Sequence, residues 1–413
     1  MIARLRAPLS EYREAVGRFS PAARRLLAIL AALGIGYGVF STLFTLYLAA
    51  LGFDERFVGE LVAVGTVTGA LASVPAGAAF DRYGARAAFL GGLALTGLGI
   101  AIECLAVDRF ALLAGAAIAA VGVAGAMVAQ PPLLTAVSSE RERTHLYGVA
   151  AAIGVSASVV GNLYAGVLPE LLERWIAETA LRYRVTLLTG CAPALLTLWL
   201  ARELAVAPMA GRDPRGLFWA CLAHPAVRRL VLTGVALASG GGLVLPFVNL
   251  FFLETFAVGS REIAFVRVGA TLATVAGALA APLLAARAGL LHGVVLGRSA
   301  SAPWLLLTGL APTWWSAGGA YAVRTFCVYC SDPLHTDFSM RVVPPGLRAT
   351  ASSLTFLSWN VSLAVTGWIG GELAARVGYP ALFSLGTVLT LAAAACFWFA
   401  FRAAQLQGSS RTG

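Results

Sequence analysis

Three charged residues stand deep inside apolar stretches of this 413-residue chain: Arg298, Arg324 and Asp332. Ionisable groups in such surroundings are costly, so each marks a pathway, a partner or a binding site. A guanidinium stays protonated and presents five N–H donors in a rigid fork, which suits a carboxylate, a phosphate or a sugar hydroxyl. Arg324 lies about nine residues into its stretch, roughly 14 Å at 1.5 Å per residue. Arg298 and Asp332 each sit roughly 9–12 Å from the same end of neighbouring stretches, a placement that suits a buried ion pair. A carboxylate beside an arginine can also take up a proton when the arginine moves away, so Asp332 is a candidate for proton coupling. Tyr37, Gln130, Asn249, Trp359 and Asn360 are further polar or aromatic candidates for contacting a ligand.

The elements that must hold these groups follow from composition. The chain is 59% hydrophobic and 12% charged, against about 25% charged residues in a soluble protein. Runs of some 20 apolar residues recur along it, each long enough for about 30 Å of hydrocarbon. This describes an all-α membrane protein; a β-barrel would alternate in ~10-residue segments. Twelve crossings are expected at 26–50, 57–79, 87–107, 110–135, 146–168, 184–202, 229–253, 262–285, 292–311, 315–339, 349–371 and 379–401. They imply a tail (1–25), a six-helix bundle (26–202), a linker (203–228), a second bundle (229–402) and a closing tail (403–413).

All 30 basic residues are arginine. The chain therefore has no lysine for a phosphate-binding P-loop or a Schiff base. In a membrane protein the basic balance concerns sidedness rather than nucleic acid. Twenty arginines fall on the face that carries both termini and the central loop, and seven on the other. Positive-inside places both termini in the cytoplasm, and the absence of lysine points to a GC-rich bacterial genome and so to an inner membrane. No cofactor or metal site is implied. Cys327 and Cys330 form a CxxC inside an apolar helix and read as small packing residues.

The halves resemble each other. "PLLTAVS" at 132–138 pairs with "PLHTDFS" at 333–339, an offset of 201, and "GAAFDRYG" at 77–84 with "PLLAARAG" at 282–289, an offset of 205. Glycines 34, 36 and 38 in crossing one, and 240–242 with Pro246 in crossing seven, would interrupt helices at matching places, as in carrier binding regions. Glu103 is expected at the lipid interface, and Arg267 to reach Glu254, Glu262 or headgroups.

Gly77, Asp81, Arg82, Gly84 and Arg86 fall between crossings two and three in the pattern GxxxDRxGxR. This resembles motif A of the major facilitator superfamily, departing only at Ala85, and the resemblance covers roughly residues 25 to 402. It implies two pseudo-symmetric six-helix bundles, with crossings 1, 4, 7 and 10 lining a central cavity. It further implies that Asp81 faces the amino end of crossing eleven near Gly346–Ala349, beside Arg348, as a cytoplasmic latch. The implied activity is alternating-access secondary transport of a small organic solute by a monomer in the lipid bilayer, with a possible coupling proton. The alternatives are an exporter of hydrophobic compounds and, from another class, a non-transporting membrane sensor or assembly partner. Crossing one lacks the acidic residue of many proton-coupled sugar carriers, and crossings one and seven lack the arginine pair of the organic-phosphate exchangers. No Ser/His/Asp constellation or HExxH suggests an enzyme.

Overall fold

The computed structural model describes residues 19–137, 143–202, 221–344 and 347–409. These contain helices and no strand. We number the helices α1 to α12. The first six are α1 (Pro21–Ala50), α2 and α3 (the two arms of Glu55–Leu105), α4 (Arg109–Ala136), α5 (Arg143–Leu172) and α6 (Thr179–Arg202). They are followed by α7 (Pro225–Phe256), α8 and α9 (the arms of Ser260–Leu310), α10 (Trp314–Val342), α11 (Arg348–Val377) and α12 (Tyr379–Ser409).

Each long element is broken at one glycine. Gly84 has φ 82°, ψ 164° and Gly289 has φ 74°, ψ 175°, a combination essentially reserved for glycine. The sequence after each therefore starts a new helix in a new direction. Eight helices meet a strict test of length and apolarity for a membrane span. The 55–83 arm, α10 and α11 fall below it, and α8 and α9 count there as one.

The chain divides into two compact units. The first comprises Met1–Tyr47 and Thr68–Gly211, the second Leu48–Val67 and Arg212–Gly413. The outer stretch of α2 thus belongs with the second unit. There a Cβ on Gly371 would lie 2.5 Å from the Glu55 carbonyl oxygen, and one on Gly59 2.9 Å from that of Gly367. Only glycine allows the backbones so close.

Small residues set the packing in each unit, as expected where lipid removes the hydrophobic drive between helices. In the first, a Cβ on Gly38 would lie 2.2 Å from the Ser158 carbonyl oxygen, joining α1 to α5. One on Gly92 would lie 2.5 Å from Ala126 N and 2.8 Å from the Gly122 oxygen, joining α3 to α4. A buried cluster of Leu26, Ile29, Phe89, Leu133 and Leu146 fills the space between these contacts. In the second unit Gly297 faces Ser331 and the Cys327 carbonyl, and Leu230, Val294, Leu334, Phe397 and Phe401 form the matching core.

The repeat can now be placed to the residue. Elements starting at 55, 109 and 143 recur at 260, 314 and 348, each 205 residues on. Gly84 and Gly289 share this offset, as do Gly92 and Gly297, and their partners Gly122 and Cys327. Cys327 is therefore a small packing residue, and all six cysteines are free thiols. The "PLLTAVS"/"PLHTDFS" pairing at 201 lies four residues, about one helical turn, out of this register. It reflects a local likeness rather than equivalent positions.

Candidate functional site

Crossing seven is interrupted as expected. Pro246 cannot donate to the helix ladder, and the chain passes from α-helix (Pro225–Val244) through a 3-10 turn (Leu245–Phe247) into Val248–Phe256. Crossing one, by contrast, is a continuous helix. Gly34 and Gly38 serve packing against Gly154, Ala157 and Ser158, so the expectation of an interruption there is corrected. Glycine in a membrane helix can bend it or let a neighbour approach, and here α5 uses both positions.

The three glycines of α7 have separate tasks. Gly240 packs on Gly386 and Thr390 of α12, and Gly242 on Leu363 and Thr366 of α11. Gly241 between them faces α10, where a Cβ would lie 3.7 Å from an Arg324 terminal nitrogen. Arg324 is 7% exposed. Its Nε has no hydrogen-bond partner, and among the described residues nothing accepts a bond from its guanidinium. A buried guanidinium with its Nε unused is an open valence for an acceptor from outside the chain.

A turn or two further along α10, Arg298 of α9 donates from Nη2 to Asp332 Oδ1 in an ion pair. The arginine side chain is 6% exposed and the aspartate 39%. Arg298 Cζ also lies 5.7 Å from the Trp359 ring on α11, within cation–π range. Trp359 in turn lines a cavity of about 300 Å³ with His335, Thr336, Ser339, Met340, Thr355 and Phe356. The cavity opens beyond the ion pair rather than at Arg324, and Trp359 is the side chain shared by the cavity and the pair. His335 is half-buried there, with its Nε2 buried and unpartnered.

The other expected contacts are dispersed. Asn249 is buried in the short helix after the α7 break. Asn360 turns back to donate to the Phe356 carbonyl at 2.8 Å. Tyr37 is 67% exposed on α1, and Gln130 is half-buried on α4, both in the first unit. In the motif between α2 and α3, Gly84 makes the positive-φ break and Arg86 is exposed. The side chains of Asp81, Arg82 and Arg348, the surroundings of Gly77, and residues 345–346 lie outside the described residues.

One expectation fails, and another narrows to lipid headgroups. Glu103 is not at the lipid interface but 4% exposed, pressed against Gly115 of α4, whose Cβ would come within 2.9 Å of Glu103 Cγ. A helix that is apolar all round gives no periodic clue to which face is inside. Arg267 forms no ion pair with Glu254 or Glu262 among the described residues, and its buried Nε is unpartnered. Glu262 is instead bound to the Gly259 amide at 3.0 Å.

Sequence reasoning missed one cluster. Where the start of α2, the end of α7 and the start of α12 meet, Tyr379 Oη lies 3.2 Å from Glu55 Oε1 and 3.1 Å from Glu254 Oε2. A hydroxyl has one hydrogen, so it satisfies both carboxyl groups only when one of them carries a proton of its own. Beside them Arg56 pairs with Glu372 at 3.1 Å, and Arg376 pairs with the same carboxylate. Glu55 and Tyr379 are 324 residues apart, and no local pattern links them.

Two related sets of apolar helices, with arginines held inside the second, define a multi-pass membrane protein of the secondary-carrier type. The family model described as the Major Facilitator Superfamily matches residues 26–354, and the chain belongs to that family. Solved structures share the fold at low identity. A bacterial homologue of the human lysosomal transporter Spinster, inward-facing and occupied, superposes with TM-score 0.75 at 18% identity over 95% of this chain and 97% of its own. The nucleoside transporter NupG gives 0.77 at 12% over 92% and 99%, and a D-xylose–proton symporter 0.71 at 15% over 91% and 97%. No curated protein matches the chain.

Proposed function

We propose that this protein is a secondary transporter that moves a small organic solute across a bacterial inner membrane by alternating access. Both termini are cytoplasmic in this reading, the carrier is a monomer, and a proton is its candidate coupling ion. The solute contacts α7 and α10 of the second unit at Arg324, with Asn249, Trp359 and Asn360 as further contacts from that unit and Tyr37 and Gln130 from the first. The observation that carries this reading is the Arg324 guanidinium, buried and unpartnered opposite Gly241 at a broken helix. A structural arginine would have found its acceptors within the fold. Motif A, with Gly77, Asp81, Arg82, Gly84 and Arg86, is the proposed conformational latch, and Arg298–Asp332 the pair that could exchange the proton. Thermal-shift screening of the purified chain tests the reading: solutes that stabilise the native protein should lose that effect in Arg324→Ala. Stabilisation that survives the substitution would remove Arg324 from the site.

A second reading is favoured by one observation. Met340, Phe356 and Trp359 give the cavity beyond the ion pair an apolar and aromatic lining, which suits an exporter of lipophilic compounds. In that case such compounds stabilise the protein through Trp359 and not through Arg324.

A further inference from the structure

We infer that the solute is an organic anion, and that its anionic group binds at Arg324. This rests on the proposed transport role and names its substrate class. The argument is a count of charges. The arginine cannot shed its proton to escape burial, so its positive charge persists within the helices and needs a negative counterpart. Among the described residues of α1, α4, α7, α10 and α11, none is free. The helices α1 and α4 carry no acidic residue along 21–50 and 109–136, and α11 carries only Glu372. On α7 the one carboxylate, Glu254, lies at the outer end with Tyr379. On α10, Asp332 is engaged by Arg298, and Asp337 is held by Arg341 at 2.9 Å. The Arg298–Asp332 pair is neutral as a unit, which leaves one uncompensated charge at Arg324.

Neutral hydroxyls could accept its hydrogen bonds but would leave that charge standing, and a lipophilic cation would add to it. A carboxylate or a phosphate ester does both jobs at once, accepting two parallel N–H bonds and cancelling the charge. Gly241 brings the α7 backbone close to the terminal nitrogens: a Cβ there would lie 3.7 Å from Arg324 Nη2 and 3.4 Å from Leu245 Cδ1.

The test compares matched solutes on the full chain in detergent at constant ionic strength: nicotinate with nicotinamide, gluconate with glucose, glycerol 3-phosphate with glycerol, and small monoanions such as acetate and benzoate. Melting temperature is the readout. The expected result is that anions stabilise the protein, that the neutral member of the same pair binds at least about tenfold more weakly, as loss of one charge-assisted bond implies, and that Arg324→Gln abolishes the difference. Arg324→Lys, a point charge without the fork, should retain part of it. The ligand-free melting temperature of each variant shows that it is folded. Neutral solutes that stabilise as well as anions, and lose the effect in Arg324→Gln, would overturn the anion class and leave the transport site standing. Stabilisation unaffected by Arg324→Gln would overturn the site itself. A panel in which no anion gives Arg324-dependent stabilisation would also overturn the inference.

Discussion

The two halves of this chain are built on one plan and charged on different plans. At the 205-residue offset, Arg298 stands where the first half has Leu93, Arg324 where it has Ala119, and Asp332 where it has Met127. The reverse holds at the loop between α2 and α3: Asp81 and Arg86 correspond to Ala286 and Leu291, and only Arg82 keeps an arginine partner in Arg287. Gly84 and Gly92 recur as Gly289 and Gly297; the charges inside the helices, Arg298, Arg324 and Asp332, have no counterpart. The halves thus share the break between their second and third helices and the Gly92/Gly297 contact, while their charges are divided, with the intramembrane arginines in one half and most of the motif-A charges in the other.

The largest effect should come from the shared packing. Gly92→Ala and Gly297→Ala each place a Cβ within 2.5 and 2.7 Å of atoms on the neighbouring helix. Overpacking of this kind costs about 1–3 kcal/mol, and the two variants should lower the melting temperature in detergent by similar amounts. A large loss in only one would break the equivalence of the halves.

Converting the second half into the first comes next. Arg298→Leu strands Asp332, and because that side chain is 39% exposed the cost should fall to about 1–2 kcal/mol, below that of breaking a fully buried pair. The double variant Arg298→Leu/Asp332→Met copies the first half and should recover most of the loss. Failure to recover would mean that Arg298 also matters through Trp359.

A smaller and again matched effect is expected for Gly84→Ala and Gly289→Ala. Neither added Cβ meets an atom within 4 Å, so backbone strain of about 1 kcal/mol is the whole effect. Smallest is the outer cluster. The hydroxyl shared by Glu55 and Glu254 needs a proton on one carboxyl, so stability should decline as pH rises and that proton leaves. The groups facing it are Tyr379, Arg56, Glu372 and Arg376. Glu254→Gln should flatten the pH profile of melting; an unchanged slope would assign it elsewhere.

Much of the fold was legible because crossing a membrane demands long apolar runs, and twelve such runs can be counted between charges. Arg324 and Asp332 drew notice for the same reason, since a charge inside such a run is conspicuous. What sequence could not supply was direction. Glu103 and the glycines of α1 lie in helices that are apolar on every side, so nothing in the pattern told buried from lipid-facing or bend from contact. The Tyr379 cluster depends on residues distant along the chain, and Trp359 gains its place only when α9, α10 and α11 come together.

The central claim is that the unmatched cation of the second half exists for a ligand and not for the fold. The most direct measurement is the melting temperature of Arg324→Ala, which restores the residue of the first half, with and without a stabilising solute. The account predicts a ligand-free protein as stable as the parent or more so, because an uncompensated buried charge is gone, together with loss of the ligand's effect. A protein that melts lower yet still responds to the solute would contradict it.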